Sequence, residues 1–202
     1  MDTIAPHSNE SQEDNPEVTA HHEAGHAVMA RVLGRRVGKV SLVLNEKQRY
    51  NGYTNWDLYE IFREWDCHVP YEDLKLKKED DRDGIALIFA AGKASERIWY
   101  RQKSLDEKWA SFGTGAGELN DEWQLQEAVK GILEADPQRQ LLQEMQRVEE
   151  TAVHLLVFPT CWQAVEAVAH ELLERLKQDR ERCTFDKAQA RIAEIFAQAK
   201  TK

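Results

Sequence analysis

The 202 residues, 42% hydrophobic and 31% charged, suit one packed globular domain and are short for two. A net charge of −9 excludes a nucleic-acid binder, because phosphate contacts need a basic surface. The three cysteines, Cys67, Cys161 and Cys183, are odd in number and form no CxxC pair, so neither a disulfide framework nor a thiolate zinc knuckle is indicated, and no apolar run nears the roughly 18 residues that cross a bilayer.

Residues 1–16 carry almost no apolar side chains and read as a flexible leader, with neither the basic nor the apolar region of a signal peptide. Reduced thiols and no membrane span then lead to the expectation of a cytoplasmic protein. From Glu17 to about Leu33 the spacing of Val18, Ala24, Ala27, Val28, Val32 and Leu33 predicts a helix, which Gly34 is placed to end. Two short strands follow, over 39–44 and 50–54. The polar stretch Asn45-Glu46-Lys47-Gln48 between them suggests a hairpin or small sheet.

Residues 57–80 carry no clear periodicity. The helical pattern returns from Asp81 to about Tyr100, and 101–117 reads as a loop ending in a run of glycines. Helices are predicted over about 119–135, 138–157, 161–178 and 185–199, with breaks at Pro137, at Pro159-Thr160 and near Thr184. The expected fold is mainly α with a small β-hairpin or sheet, forming one domain over 17–202. A helix bearing His22-Glu23-Ala24-Gly25-His26 packs against a helical bundle.

Two histidines four apart on a helix project from one face, one turn above the other, so His22 and His26 can grip a single metal ion. Zinc suits imidazole, and a catalytic site adds a third protein ligand while leaving one position for water. Glu23 neighbours His22, and its carboxylate can take a proton from a water polarised by the metal. The HExxH spacing and this chemistry are well known together. Chemistry alone offers Glu96, Glu118 and Glu122 among the carboxylates able to complete the ligand set, with Glu96 the best of the three by its place on a helix but read by preference as a supporting or structural carboxylate. Gly25 costs its helix about 1 kcal/mol relative to alanine, which implies that another backbone element approaches closely there. His21 points about 100° away from His22, which excludes it from the same ligand set. The glycines at 113, 115 and 117 lack a following Gly-Lys-Ser/Thr, so they are no phosphate loop. His170-Glu171-Leu-Leu-Glu174 reads as a solvated helix face.

The stretch Ala20-His-His-Glu-Ala-Gly-His-Ala27, followed by Gly38-Lys-Val-Ser-Leu-Val43, resembles the peptidase domain of the FtsH family of AAA proteases. Ala91-Gly92-Lys-Ala94-Ser-Glu96 is similar to that family's Ala-Gly-Arg-Ala-Ala-Glu helix. Gly113-Thr-Gly115-Ala116 with Asn120-Asp121 resembles its Thr-Gly-Ala-x-Asn-Asp segment. The likeness runs in order over about 18–195. It implies a zincin-like α+β fold, a zinc cofactor and Asp121 as third metal ligand beside His22 and His26. The chain departs from the family at Gly117-Glu118-Leu119, which stands where the family has about one residue.

The resemblance implies a zinc metalloendopeptidase with Glu23 as general base. The alternative is an inactive, zinc-stabilised interaction or adaptor module of the same fold; a third possibility is a hydrolase of non-peptide amides. No Walker A sequence is present, so the expected substrates are unfolded or flexible polypeptides, or ones presented by a separate ATPase or adaptor. Gly52, Tyr53 and Thr54 resemble the family's strand beside the active site, where an exposed edge could pair with an extended peptide through main-chain hydrogen bonds. Replacing Tyr53 by Pro is expected to remove one donor of that edge.

Overall fold

The first helix starts where its chemistry allows. A computed structural model describes residues 15–44, 50–61, 82–104, 121–132, 137–178, 182–185, 193–194 and 196–198, and in it α1 runs over Pro16–Val32. The Asn15 side chain accepts from the Glu17 N–H at 2.9 Å, satisfying one unpaired donor of the first turn, and Pro16 occupies the position where no N–H is missed. Gly34, at φ 73°, adopts the left-handed conformation that stops the helix, with its N–H on the Arg31 carbonyl at 3.0 Å. From Glu23 to Val32 every residue of α1 is buried. A helix enclosed all round is the centre of its domain, and α1 is that here.

Strands β1 (Arg35–Leu44) and β2 (Tyr50–Ile61) follow as an antiparallel pair that places Val40 opposite Thr54, Ser41 opposite Tyr53 and Leu42 opposite Gly52. Both strands are longer than the alternation in sequence suggests. The turn expected over 45–48 lies outside the described residues. Register shifts between Arg35 and Lys39 mark an irregular start to β1.

Helices α2 (Arg82–Gln102), α3 (Asp121–Ile132), α4 (Pro137–Leu156) and α5 (Pro159–Gln178) come next. Pro137 and Pro159 are the first residues of α4 and α5, where the missing N–H costs nothing, rather than gaps before them. The helix expected from 185 is corrected at its start. Arg182–Phe185 form a short strand, β3, pairing with β1 through Val40–Phe185 and Leu42–Cys183. Four residues carry too little pattern to declare a strand; the open edge of β1 recruits them. The sheet order is β2-β1-β3, which leaves β2 at an edge among the described residues.

The fold is therefore mainly helical with a small antiparallel sheet. Helices α2 and α5 and both long strands close over α1. Val28, Met29, Ile88, Leu156, Val165 and Leu172 are essentially inaccessible in that core, and each such side chain contributes about 1.5–3 kcal/mol of burial. No single described helix is long and apolar enough to cross a membrane.

The α1–α2 crossing is tight because small residues meet there. A Cβ on Gly25 would overlap the Ala91 carbonyl oxygen and the Ser95 side chain. The Ser95 hydroxyl lies 2.6 Å from the His21 carbonyl and 2.8 Å from that of Gly92, tying the helices together. The close approach inferred from Gly25 is thus α2. Gly25→Ala gains about 1 kcal/mol in helix propensity but forces a methyl against backbone, which costs about 1–3 kcal/mol or more. The variant is expected to melt several degrees below the parent; a Tm equal to or above the parent's would show that α2 shifts aside freely.

Candidate metal centre

Helix α1 presents His22 and His26 on the face that meets α2, one turn apart as their spacing predicts. Their ring centroids lie 4.7 Å apart at 78°. Each ring has one nitrogen already engaged. His22 Nδ1 lies 2.6 Å from Glu96 Oε1, and His26 Nδ1 lies 2.7 Å from the Ile88 carbonyl oxygen. Both partners are acceptors, so both Nδ1 atoms donate, and in the neutral tautomer each Nε2 carries a lone pair.

Those two Nε2 atoms face one another at 3.0 Å. Asp121, the first residue of α3, brings Oδ2 to 2.7 Å from His22 Nε2 and 3.1 Å from His26 Nε2. Three acceptors converging on one point repel unless a cation lies among them. Either protons or a metal ion must supply that charge.

The donor set suits a divalent metal. His22, His26 and Asp121 offer one ligand atom each within a span of 4.8 Å. Tetrahedral zinc at about 2.0–2.2 Å from each atom sets ligand–ligand edges near 3.3–3.5 Å, so the triangle need open by only about half an ångström. Both imidazoles donate their second nitrogen to a carboxylate or carbonyl, as metal-ligating histidines almost always do. Beside His22 and Asp121, where α2, α3 and α4 meet, lies a cleft of about 30 Å³ also lined by Phe89, Lys93, Leu125 and Glu149, with room for one or two waters; neither His26 nor Glu23 borders it.

Glycine makes the centre possible. A Cβ on Gly92 would stand 2.5 Å from His26 Nε2 and 2.6 Å from His22 Nε2, in the space where the ligands converge. The backbone of α2 therefore forms one wall of the centre. Glu96, one turn further along α2, reaches the back nitrogen of His22; it orients that ring instead of completing the ligand triangle. Of the other rival carboxylates, Glu122 is exposed and outside the triangle, and Glu118 lies outside the described residues.

Charge follows from this packing. Burial opposes protonation of His22, yet the Glu96 and Asp121 carboxylates outweigh it and hold its pKa well above 6.5. The same opposition, with Asp121 as the main attracting group, raises His26. Burial alone would raise Asp121, but the two imidazoles beside it hold its carboxyl far below the usual range. Glu23 is raised, chiefly by burial and against the pull of His26 and His22.

The Glu23 carboxylate is buried on α1, with its Oε2 2.5 Å from Thr54 Oγ1. Gly52 lies directly against the same side chain, where a Cβ would overlap the carboxylate. Two of the three strand residues singled out in sequence thus touch the proposed base. Tyr53 does not: its side chain, 57% exposed, projects from the opposite face of β2. Its carbonyl lies 3.3 Å from Ser41 Oγ, on the β1 side. Alternation then turns the main-chain groups of Gly52 and Thr54, not those of Tyr53, toward the outer edge. Replacing Tyr53 by Pro would therefore break the β1–β2 ladder and not the outer edge.

His21 stays out of the centre, its ring 6.0 Å from both Trp99 and Trp162 and its Nδ1 2.7 Å from the Glu17 carbonyl. His170 is exposed beside Glu174 on α5. The glycines at 113, 115 and 117 lie outside the described residues. The Gly92 wall and the contact of the Thr54 hydroxyl with Glu23 are the features of the candidate site that sequence reasoning missed. Their only trace was the small-residue run at 91–95 and the strand motif at 52–54. Comparison with protein-family models and with curated proteins returns no match.

Gly92→Ala is expected to lower metal affinity at least tenfold in a chelator-competition titration while the chain still folds; unchanged affinity would mean that α2 does not wall the centre. A second expectation concerns pH. The raised histidines give the metal-free chain stability that is full below 6.5 and lost as pH rises through their folded values. The depressed Asp121 gives stability present above 3.8 and lost only in stronger acid. The Tm of the metal-free chain should therefore fall as pH rises above 6.5, and bound metal should flatten that fall by replacing the protons. A metal-free Tm that rises over this range would contradict the pairing.

Proposed function

We propose that the chain is a zinc-dependent metallopeptidase of zincin-like design that hydrolyses peptide bonds in flexible polypeptides. The observation that carries this reading is the convergence of His22 Nε2, His26 Nε2 and Asp121 Oδ2 next to a buried glutamate on the same helix as the histidines. The resemblance to the FtsH peptidase domain supports it, since Asp121 is the residue that likeness names as third ligand. The insertion at 117–119 does not keep Asp121 away from the histidines.

Zinc held by these three residues would polarise the scissile carbonyl and acidify the attacking water. The chain's own groups do the rest. Glu23 accepts the water's proton on its carboxylate and returns it to the departing amine. Glu96 and the Ile88 carbonyl fix the two imidazole planes, so the ligands need little reorganisation. The outer edge of β2 offers the main-chain groups of Gly52 and Thr54 to an extended substrate, which accounts for binding with little side-chain preference.

The test compares zinc-loaded parent, Glu23→Gln and His22→Ala on unstructured casein. Glu23→Gln should keep about one zinc per chain and lose about 10²–10⁴-fold in turnover, since an amide cannot accept the proton. His22→Ala should lose both metal and activity. Equal rates for parent and Glu23→Gln would remove Glu23 as the base. A parent that binds zinc and cleaves nothing would instead indicate the interaction module.

A further inference from the structure

We infer that Thr54 is a positioning residue that locks the Glu23 carboxylate in one orientation and couples it to the strand edge on which substrate docks. This rests on the metallopeptidase reading above. The warrant is a pair of contacts from alternate residues of β2.

Gly52 and Thr54 lie two apart on the strand, so both face α1. Gly52 lets the strand backbone press against the Glu23 side chain, and any Cβ there would overlap Oε1, Cγ and Cδ. Thr54 Oγ1 sits 2.5 Å from Glu23 Oε2 and 3.1 Å from the Glu23 main-chain carbonyl. A hydroxyl has one proton, and the charged carboxylate is the stronger acceptor, so that proton goes to Oε2. Oε1, which lies against Gly52, is then the oxygen that the hydroxyl leaves free to take a proton. Gly52 supplies the room and Thr54, two residues on, supplies the grip.

A free glutamate side chain has several rotamers, and holding the reactive one spares the reaction the entropic cost of finding it. Misplacement of a reacting group by about an ångström can cost on the order of 10²-fold in rate. Because Gly52 and Thr54 also present main-chain groups to the outer edge, a peptide paired there is placed in register with the oxygen that takes the proton. Docking edge and base form one rigid unit.

The experiment measures kcat, KM and zinc content for Thr54→Val and Thr54→Ser with zinc-loaded enzyme and a flexible peptide. Valine keeps the shape and removes the hydroxyl; kcat should fall about 10–100-fold, with KM changed less than about threefold and zinc unchanged. Serine keeps the hydroxyl and should hold kcat within about threefold of the parent. If Thr54→Val fails to fold, Thr54→Ala supplies the same comparison. A second readout needs no activity: in the metal-free chain Thr54→Val should lower Tm in the parent background and much less in Glu23→Ala, a double-mutant cycle on the bond itself. An active parent whose Thr54→Val keeps its kcat, loses activity through KM alone, or lowers both Tm values equally overturns the inference. An inactive zinc-loaded parent overturns the peptidase reading, and the assignment of Thr54 falls with it.

Discussion

Two imidazole nitrogens, each with its proton already committed elsewhere, are held 3.0 Å apart inside the domain, and a carboxylate closes on both. Among the described residues, only protons on these nitrogens or a bound metal ion relieve the repulsion among the three groups. The surroundings of α1 serve to keep that arrangement from relaxing. Glu96 and the Ile88 carbonyl hold the far sides of the rings, and Gly92 lets the backbone of α2 approach where any side chain would intrude. A more open packing would let the rings turn apart and dissolve the site. The core is therefore built around an electrostatic requirement as much as around apolar burial.

That requirement explains the placement of small residues on α2. Ala91, Gly92 and Ser95 would be poor core fillers in an ordinary helix pair, since each buries little surface. Here they bring two helices close enough for Gly25 to touch the Ala91 carbonyl and for Ser95 to reach His21. Further along, Lys93 pairs with Glu149 at 3.0 Å and ties α2 to α4 next to the cleft. Half-buried pairs of this kind contribute modestly to stability, but they fix which helix faces which. The sheet meets α1 on another side, and there too a glycine, Gly52, sets the distance. Glycines on α1, α2 and β2 thus define how closely helix and strand approach the chemistry.

The acidic first residue of α3 links the centre to the rest of the bundle. Asp121 lies at a helix N-terminus, where a negative side chain is favoured by the helix dipole, and it is drawn to the two histidines at the same time. Packing of α3 on α2 and α4 brings that terminus to the site. The third position of the triangle is consequently set by the bundle and not by the helix that carries the histidines.

The amino-acid sequence alone determined the histidine pair, its neighbouring glutamate and the helix they ride on, because a four-residue spacing on a helix is a local geometric fact. It also determined the C-terminal end of α1, through Gly34, and the mainly helical class, through long apolar periodicities; the Asn15 cap and Pro16, read in sequence as part of a flexible leader, became visible as the helix start only in the fold. Asp121 was legible only by resemblance, because 95 residues separate it from His26 and no local rule spans that distance. The tertiary structure decided what depends on contacts between distant segments: the strand at 182–185, which exists because β1 offers an edge; the role of Glu96 behind His22 rather than in the ligand set; the orientation of Tyr53 away from the site; and the grip of Thr54 on Glu23. Local spacing fixes which side chains share a face, while the meeting of two faces depends on the packing of whole elements, and only the folded chain carries that information.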